Sequence, residues 1–382
     1  MKKLRIMECF GGIGACSKAL ERLEIDYEIE DYVEIDKYAV KSFNAIHGTN
    51  FEPQDICKWD KDVEVDLIMH GSPCQDFSLA GKQAGGDKDS GTRSSLMYET
   101  IRIVEKLKPK YVIWENVKNL LSKKHRHNFD AYLETMESLG YVNYYQVLNA
   151  KDYGIPQNRE RVFTISILNS AVNSAVMQNF EFPPKQELKL KLKDMLEDEV
   201  DEKYYLSDKK IQKIANWKAY QKPFEKVQGK NSIVPTLTAR GAGEEHSGMI
   251  TYSENLEDTT NLQEQCLHIK NNTIQGYLSA YDGDGVNISS RMKYQRGNVQ
   301  KESIQTITTS GGNDRGVVDV VNQKLRIRKL TPKEVWRLMG FDDEDFEKAA
   351  KVNSNTQLYK QAGNSIVVNV LEAILNNLLN QK

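Results

Sequence analysis

A thiol, a carboxylate and two guanidinium groups stand at apparent strand ends in the first half of this sequence. The thiol is Cys74, within Gly71-Ser72-Pro73-Cys74-Gln75-Asp76-Phe77-Ser78. The apolar run Val65-Asp66-Leu67-Ile68-Met69 before it reads as a buried strand. Pro73 and the long Gly/Lys-rich segment after Cys74 mark a loop. Open α/β sheets place their chemistry in loops at the carboxyl ends of parallel strands, so a thiol here suits a nucleophile. The carboxylate is Glu115, at the end of Tyr111-Val112-Ile113-Trp114. The guanidiniums are Arg159 and Arg161 of Gln157-Asn158-Arg159-Glu160-Arg161, ahead of the strand-like Val162 to Ile167. Alternation puts both arginines on one side of an extended segment. Each group also has a plainer reading. Cys74 could be a small buried hydrophobe, Glu115 a helix cap, and the arginines a solvated strand edge.

The elements that must position these groups begin at the N-terminus. Leu4 to Phe10 is strand-like and runs through Gly11-Gly12-Ile13-Gly14 into a helical stretch from Ala15 to Leu23. Glycines at such a turn let a ligand approach the backbone, where a helix start offers free N–H groups. A second strand, Ile29 to Val33, ends in Glu34. Its place and charge suit a carboxylate that holds ribose hydroxyls, which points to an adenosine-type cofactor. The turn lacks the third glycine of the dinucleotide fingerprint.

Taken in order, the motifs resemble the DNA cytosine-5 methyltransferase family in its bacterial and phage form. Phe10 to Gly14 resembles its cofactor turn, and Glu34 and Asp55-Ile56 its next two cofactor contacts. Pro73-Cys74-Gln75 resembles the nucleophile motif, Glu115-Asn116-Val117 the glutamate motif and Gln157 to Arg161 the arginine motif. Arg328 to Glu334 resembles the ninth motif, and Gln361-Ala362-Gly363-Asn364-Ser365 the closing one. The turn begins Phe-Gly-Gly where Phe-Ala-Gly is common, a change between small residues. The resemblance covers nearly the whole chain apart from its middle third.

The resemblance implies methyl transfer from S-adenosylmethionine to carbon 5 of a cytosine in double-stranded DNA. Cys74 would add to carbon 6, Glu115 would act at ring nitrogen 3, and Arg161 with Arg159 would meet charge on the ring carbonyl and phosphate. It assigns the cofactor to Phe10, Gly12, Ile13, Gly14, Glu34, Ile35, Asp55, Ile56, Pro73, Leu96, Asn364 and Ser365. The target base must leave the helical stack to be reached. The segment Gln75 to Ser95 would close over DNA, with Ser78, Lys82 and Arg93 as contacts. Specificity would lie in the middle region. Two Thr-Leu-like pairs stand there, Thr236-Leu237 and Thr306-Ile307. Thr306 is preferred because it lies nearer the ninth motif. Arg291, Lys293 and Arg296 interleave with aromatic and polar residues and suit base contacts.

The expected fold is α/β. A Rossmann-like, mostly parallel methyltransferase domain would span residues 1–182, completed by a C-terminal helix at 355–382. A smaller, irregular, β-rich target recognition domain would span 183–354 and include the ninth motif. Strand-like runs alternate with helical stretches up to about Leu168, and the pattern changes near Phe182-Pro183-Pro184. Ser232 to Gly241 and Ser303 to Gly311 form a weak internal repeat. The 382 residues suffice for two domains, and 52 basic against 54 acidic side chains give a net charge of −2. Positive charge for DNA would then have to be concentrated on one face.

Five cysteines without CxxC spacing fit a reducing cytoplasm, and no metal site is expected from them and the six histidines. No apolar run reaches the roughly 18 residues of a membrane-spanning helix, so no membrane association is expected. A monomer is expected, acting in restriction–modification or phage self-protection. Whether a cognate restriction endonuclease accompanies it stays open. The alternatives are a tRNA cytosine-5 methyltransferase, whose Cys-Phe-Thr tripeptide is missing, and a catalytically inactive DNA-binding regulator. The second has no physical need for Cys74, Glu115 and Arg161 together.

Overall fold

The computed structural model describes residues 3–73, 93–169, 180–207, 266–271, 273, 275–287, 298–307, 315–321 and 324–380. The chain forms two compact units. One is Met1–Leu196 with Gln305–Gly312 and Thr331–Lys382; the other is Glu197–Ile304 with Asn313–Leu330.

In the first unit the apolar runs become β1 (Leu4–Cys9), β2 (Tyr27–Val33), β3 (Leu67–His70), β4 (Tyr111–Val117) and β5 (Tyr141–Asn149). A two-residue strand β6 (Gln157–Asn158) precedes β7 (Glu160–Leu168). The sheet order is β2-β1-β3-β4-β7-β5. Strand β1 is parallel to β2 and β3, and β3 is parallel to β4. Strand β7 runs antiparallel to both β4 and β5. The sheet is thus mixed and mostly parallel. Its one reversal has a simple cause: only residues 150–159 separate β5 from β7, and a parallel crossover needs about a dozen or more. The reversal matters for the site. It sets the start of β7 against the end of β4, with Arg161 opposite Val117.

Helices α1 (Ala15–Arg22), α2 (Lys37–His47), α3 (Met97–Leu107) and α4 (Arg126–Ser138) connect these strands. Ile68, Val112 and Trp114 of the sheet bury themselves with Met97, Ile101 and Val104 of α3 and with Phe129, Tyr132 and Met136 of α4. Full burial of side chains this size is worth roughly 1.5–3 kcal/mol each, which holds β3 and β4 firmly under the site.

The chain returns to this unit through α5 (Pro332–Arg337), α6 (Asp343–Ala350), α7 (Asn355–Asn364) and α8 (Val368–Leu379). Thr331 starts α5 with a capping box. Its Oγ1 accepts the Glu334 N–H at 3.2 Å, and the Glu334 carboxylate accepts the Thr331 N–H at 2.7 Å. Helix α8 packs on α1 and buries Leu371, Ile374, Leu375 and Leu378. Asn355–Leu379 has the length and apolar composition of a membrane span. It is broken between α7 and α8, and those apolar side chains form core.

The borders differ from those expected near residues 183 and 354. Leu192 and Met195 are buried, and Arg337 Nη1 donates to the carbonyls of Met195 and Leu196 at 3.2 and 3.0 Å. Trp336 Nε1 donates to the Leu358 carbonyl at 3.0 Å. These contacts keep residues up to 196, and from 331 onward, in the first unit.

The second unit is made of short strands. β8 (Leu267–Lys270) and β9 (Tyr277–Ala280) form an antiparallel pair. β10 (Gly285–Asn287), β11 (Val299–Gln300), β13 (Arg315–Val321) and β14 (Lys324–Lys329) form a sheet ordered β11-β10-β13-β14, and β12 (Ile304–Gln305) lies at the border of the units. Leu206, Leu267, Ile269, Val286, Val318 and Ile327 share its core. The repeat at residues 232–241 and the end of its counterpart beyond Ile307 lie outside the described residues.

Candidate active site

The carboxyl end of β1 turns through Phe10, Gly12 and Gly14 at φ +53°, +58° and +81°. The left-handed region is costly for a phenylalanine, and Phe10 is pinned there by its N–H, which donates to the Val33 carbonyl at 2.7 Å. At Gly14 the left-handed φ and the His47 and Phe43 rings, 2.2 and 2.8 Å from where a β-carbon would lie, both favour glycine. A β-carbon at Gly12 would meet nothing within 4 Å, so this glycine leaves bare backbone beside open space.

Glu34 follows β2 and faces that backbone. Its Oε2 accepts the Gly12 N–H at 3.3 Å and its Oε1 accepts the Asp36 N–H at 2.8 Å. Burial holds its carboxyl above the usual carboxylate range, against the pull of these two N–H groups. Ile35, next in sequence, is 69 % exposed, an unusual place for so large an apolar side chain. The Gln54 N–H donates to the Glu34 carbonyl at 2.8 Å, which brings Asp55 to the same strand end. Asp55 caps the short turn Ile56–Lys58 by accepting the Cys57 N–H at 3.0 Å. Ile13 and Ile56 are buried; the Ile13 carbonyl lies 3.3 Å from His47 Nε2, and the Ile56 carbonyl accepts from Arg102 Nη2 at 3.0 Å. Leu96 packs on the core from the turn Arg93–Leu96.

The second cluster lies at the ends of β3, β4 and β7. Glu115 is nearly buried, and Arg161 Nε stands 3.0 Å from its Oε1. Burial pushes the Glu115 carboxyl up, and the Arg161 and Arg159 charges only partly offset this. Arg161 also donates through Nη1 to the Glu160 carbonyl at 2.8 Å. A β-carbon built on Gly71 would lie 3.8 Å from Glu115 Oε2, so the segment leading to Pro73 starts beside this carboxyl. Trp114 Nε1 donates to Ser72 Oγ at 2.9 Å, and Asn116 Nδ2 donates to the Ser72 carbonyl at 3.4 Å. The glutamate motif therefore fixes the residues that lead into Pro73 and Cys74.

Arg159 takes a different course from Arg161. It is 4 % exposed. Its Nη1 donates to the Ile307 carbonyl at 3.1 Å, and its Nη2 to the carbonyls of Gly363 and Ser365 at 3.2 and 2.7 Å. Gln157 works alongside it: Oε1 accepts the Ile307 N–H at 3.1 Å and Nε2 donates to the Leu338 carbonyl at 2.7 Å. Thr306 Oγ1 donates to the Asn158 carbonyl at 2.9 Å. Asn364 is exposed at the end of α7, and Ser365 is buried.

The structure thus brings Glu34, Asp55 and the glycine turn to one strand end, and Glu115 and Arg161 to another. Cys74, Ser78, Lys82, Arg291, Lys293 and Arg296 lie outside the described residues, as does the Arg93 side chain. Sequence reading missed Tyr32, whose hydroxyl donates to the Gly12 carbonyl at 2.6 Å, and the supporting pair Trp114 and Asn116. Polar-capable side chains next to a motif were the available signal: Tyr32 two residues before Glu34, and Trp114 and Asn116 on either side of Glu115.

The family model for C-5 cytosine-specific DNA methylase matches residues 4–380. The orphan methyltransferase M.SPBetaI of Bacillus phage SPbeta is 33 % identical, over 99 % of this chain and 98 % of its own. The type II methyltransferase M2.ScrFI of Lactococcus lactis subsp. cremoris is 33 % identical, over 98 % and 99 %. Among solved structures, the Entamoeba histolytica methyltransferase EhMeth overlays at TM-score 0.64 with 14 % identity, covering 100 % of this chain and 99 % of that one. A DNA modification methyltransferase described as encoded within an Escherichia coli prophage overlays at 0.58 with 20 % identity, covering 99 % of each.

Proposed function

The chain belongs to the C-5 cytosine-specific DNA methylase family, and from that premise we propose that it methylates carbon 5 of a flipped-out cytosine in a specific double-stranded DNA sequence through a covalent adduct on Cys74. The observation that carries this reading is the Glu115–Arg161 pair, set at a strand end beside Gly71.

Carbon 5 of cytosine is a poor nucleophile. Adding a thiolate at carbon 6 makes carbon 5 electron-rich, and thiolates are intrinsically reactive. A carboxyl whose pKa is raised can hydrogen-bond or protonate ring nitrogen 3 as the thiolate adds, and Glu115 meets that requirement. Arg161, fixed by Glu115, offers its remaining donors to the ring carbonyl. After the methyl group arrives, the proton on carbon 5 must leave before the Cys74 sulfur can depart.

S-adenosylmethionine supplies an electrophilic sulfonium methyl. The open backbone at Gly12 beside the Glu34 carboxylate fits such an adenosine-bearing cofactor. Glu34 would accept from the ribose hydroxyls and Ile35 would offer an apolar platform. Phe10, Ile13, Gly14, Asp55, Ile56, Pro73, Leu96, Asn364 and Ser365 would complete the surround. DNA reading would fall to residues 197–304 and 313–330 with Thr306, in a restriction–modification or phage self-protection role.

The test is a duplex carrying 5-fluorocytosine at the target. Fluorine cannot leave as a proton does, so the protein should become fixed to this DNA in a complex that survives denaturing electrophoresis, and only with S-adenosylmethionine present. Cys74→Ser should give no adduct, because a hydroxyl is far less ionised than a thiol. An adduct of normal yield from Cys74→Ser would remove Cys74 from the mechanism.

A further inference from the structure

The two arginines of Gln157-Asn158-Arg159-Glu160-Arg161 are two residues apart, yet they face different partners. Arg161 meets Glu115. The planar fork of Arg159 reaches the Ile307 carbonyl on one side and the Gly363 and Ser365 carbonyls on the other. Gln157 accepts the N–H of the same Ile307 and donates to the Leu338 carbonyl, linking the two. All these residues belong to the first unit. The partners come from two returning segments, one holding Thr306 and Ile307 and the other holding Asn364 and Ser365.

From this geometry we infer that Arg159 is a positioning residue, which with Gln157 sets the Thr306–Ile307 pair in register with the Gly363–Ser365 turn. The inference rests on the reading above, in which Thr306 belongs to the DNA-reading segment and Asn364 and Ser365 to the cofactor surround.

Buried donors and acceptors must stay paired. Arg159 is almost wholly desolvated, and a buried carbonyl that loses its donor costs more than the hydrogen bond gained. Three carbonyls from two segments share one rigid guanidinium, so a displacement of either segment misaligns the bonds to the other. A lysine carries one nitrogen on a flexible stem and cannot reproduce the fork. If DNA and cofactor each hold their own segment in place, each should favour the other by the same factor, because binding linkage is reciprocal.

The experiment compares Arg159→Lys with Arg161→Lys in the full chain, after both melt as single cooperative transitions. For Arg159→Lys the expected result is a rise of about tenfold or more in KM for both DNA and S-adenosylmethionine, with a smaller fall in kcat. Calorimetry with S-adenosylmethionine, alone and with target duplex, should show that the tightening caused by DNA in the parent protein drops toward unity. Arg161→Lys should do the reverse, losing kcat more than KM. If Arg159→Lys does not fold, Gln157→Met, which deletes the bonds to Ile307 and Leu338 at similar length, should show the same pattern more weakly.

An Arg159→Lys protein that loses kcat as severely as Arg161→Lys, with both KM values unchanged, would overturn the inference. So would a DNA effect on cofactor affinity that is absent from the parent or intact in the variants. A parent protein that methylates no DNA would instead defeat the reading of function.

Discussion

Two strand-end regions of the same sheet hold the carboxylates of Glu34 and Glu8, and that of Glu115, in opposite ways. At the ends of β1 and β2, Glu34 is held by the N–H groups of Gly12 and Asp36, and Glu8, within β1, by the N–H and hydroxyl of Ser17. These donors are neutral. At the ends of β4 and β7, Glu115 is held by the Arg161 guanidinium. The consequence follows from electrostatics. Removing a carboxylate from neutral donors leaves dipoles unpaired, whereas removing it from a guanidinium leaves a poorly hydrated charge, a much larger cost. Neutral donors suit a site that binds a ligand and does not change its own charge. A carboxyl raised by burial beside a fixed cation suits a site where a proton moves.

The largest expected effect is therefore at Glu115. Glu115→Gln keeps shape and a hydrogen bond to Arg161 but has no proton to give. Single-turnover methylation should slow by about 10²–10⁴-fold, the usual worth of general acid–base catalysis. A loss below about tenfold would erase the contrast between the regions, because Glu115 would then act only as a prop. Next comes Glu34. Glu34→Ala removes the acceptor proposed for the cofactor ribose, and hydrogen bonds to charged groups are worth about 1.5–3 kcal/mol. Titration calorimetry should show S-adenosylmethionine bound roughly 10–100-fold more weakly. Unchanged affinity would mean that the carboxylate serves only the turn.

Much of this contrast could be read in the sequence, for reasons tied to chain distance. Glu34, Glu115 and the capping box at Thr331 sit at the ends of short, strongly patterned runs, and local pattern fixes strand and helix ends. The reversal of β7 was also readable in principle from the short connection after Asn149. The separate fates of Arg159 and Arg161 were not. Alternation put both arginines on one side, but the carbonyls that Arg159 meets lie 148, 204 and 206 positions away along the chain. Nothing local encodes such partners. The same limit explains the segment after Thr331. It reads as an independent helix start, and its membership in the first unit depends on Trp336 meeting Leu358 and Gln157 meeting Leu338.

The smallest expected effect sharpens the comparison at its buried end. Glu8 lies on β1 beneath the glycine turn and is 2 % exposed. Burial raises its carboxyl from 4.5 to about 7, against the lowering by its bonds to Ser17. Unfolded chains release this proton near the ordinary value, whereas the folded protein keeps it to about pH 7. Between those limits the unfolded state carries fewer protons, so stability falls as pH rises through the window. With these two values, Glu8 should cost the fold about 1 kcal/mol more at pH 7 than at pH 6, following the linkage between pKa and stability. Glu8→Gln retains an acceptor for Ser17 and cannot ionise. Denaturant unfolding at the two pH values should therefore show a smaller loss in the variant by about that amount. If parent and variant lose the same stability, Glu8 is ionised in the folded state throughout. Neutral donors would then suffice to hold a charged carboxylate in this region, and the difference from Glu115 would narrow to the proton alone.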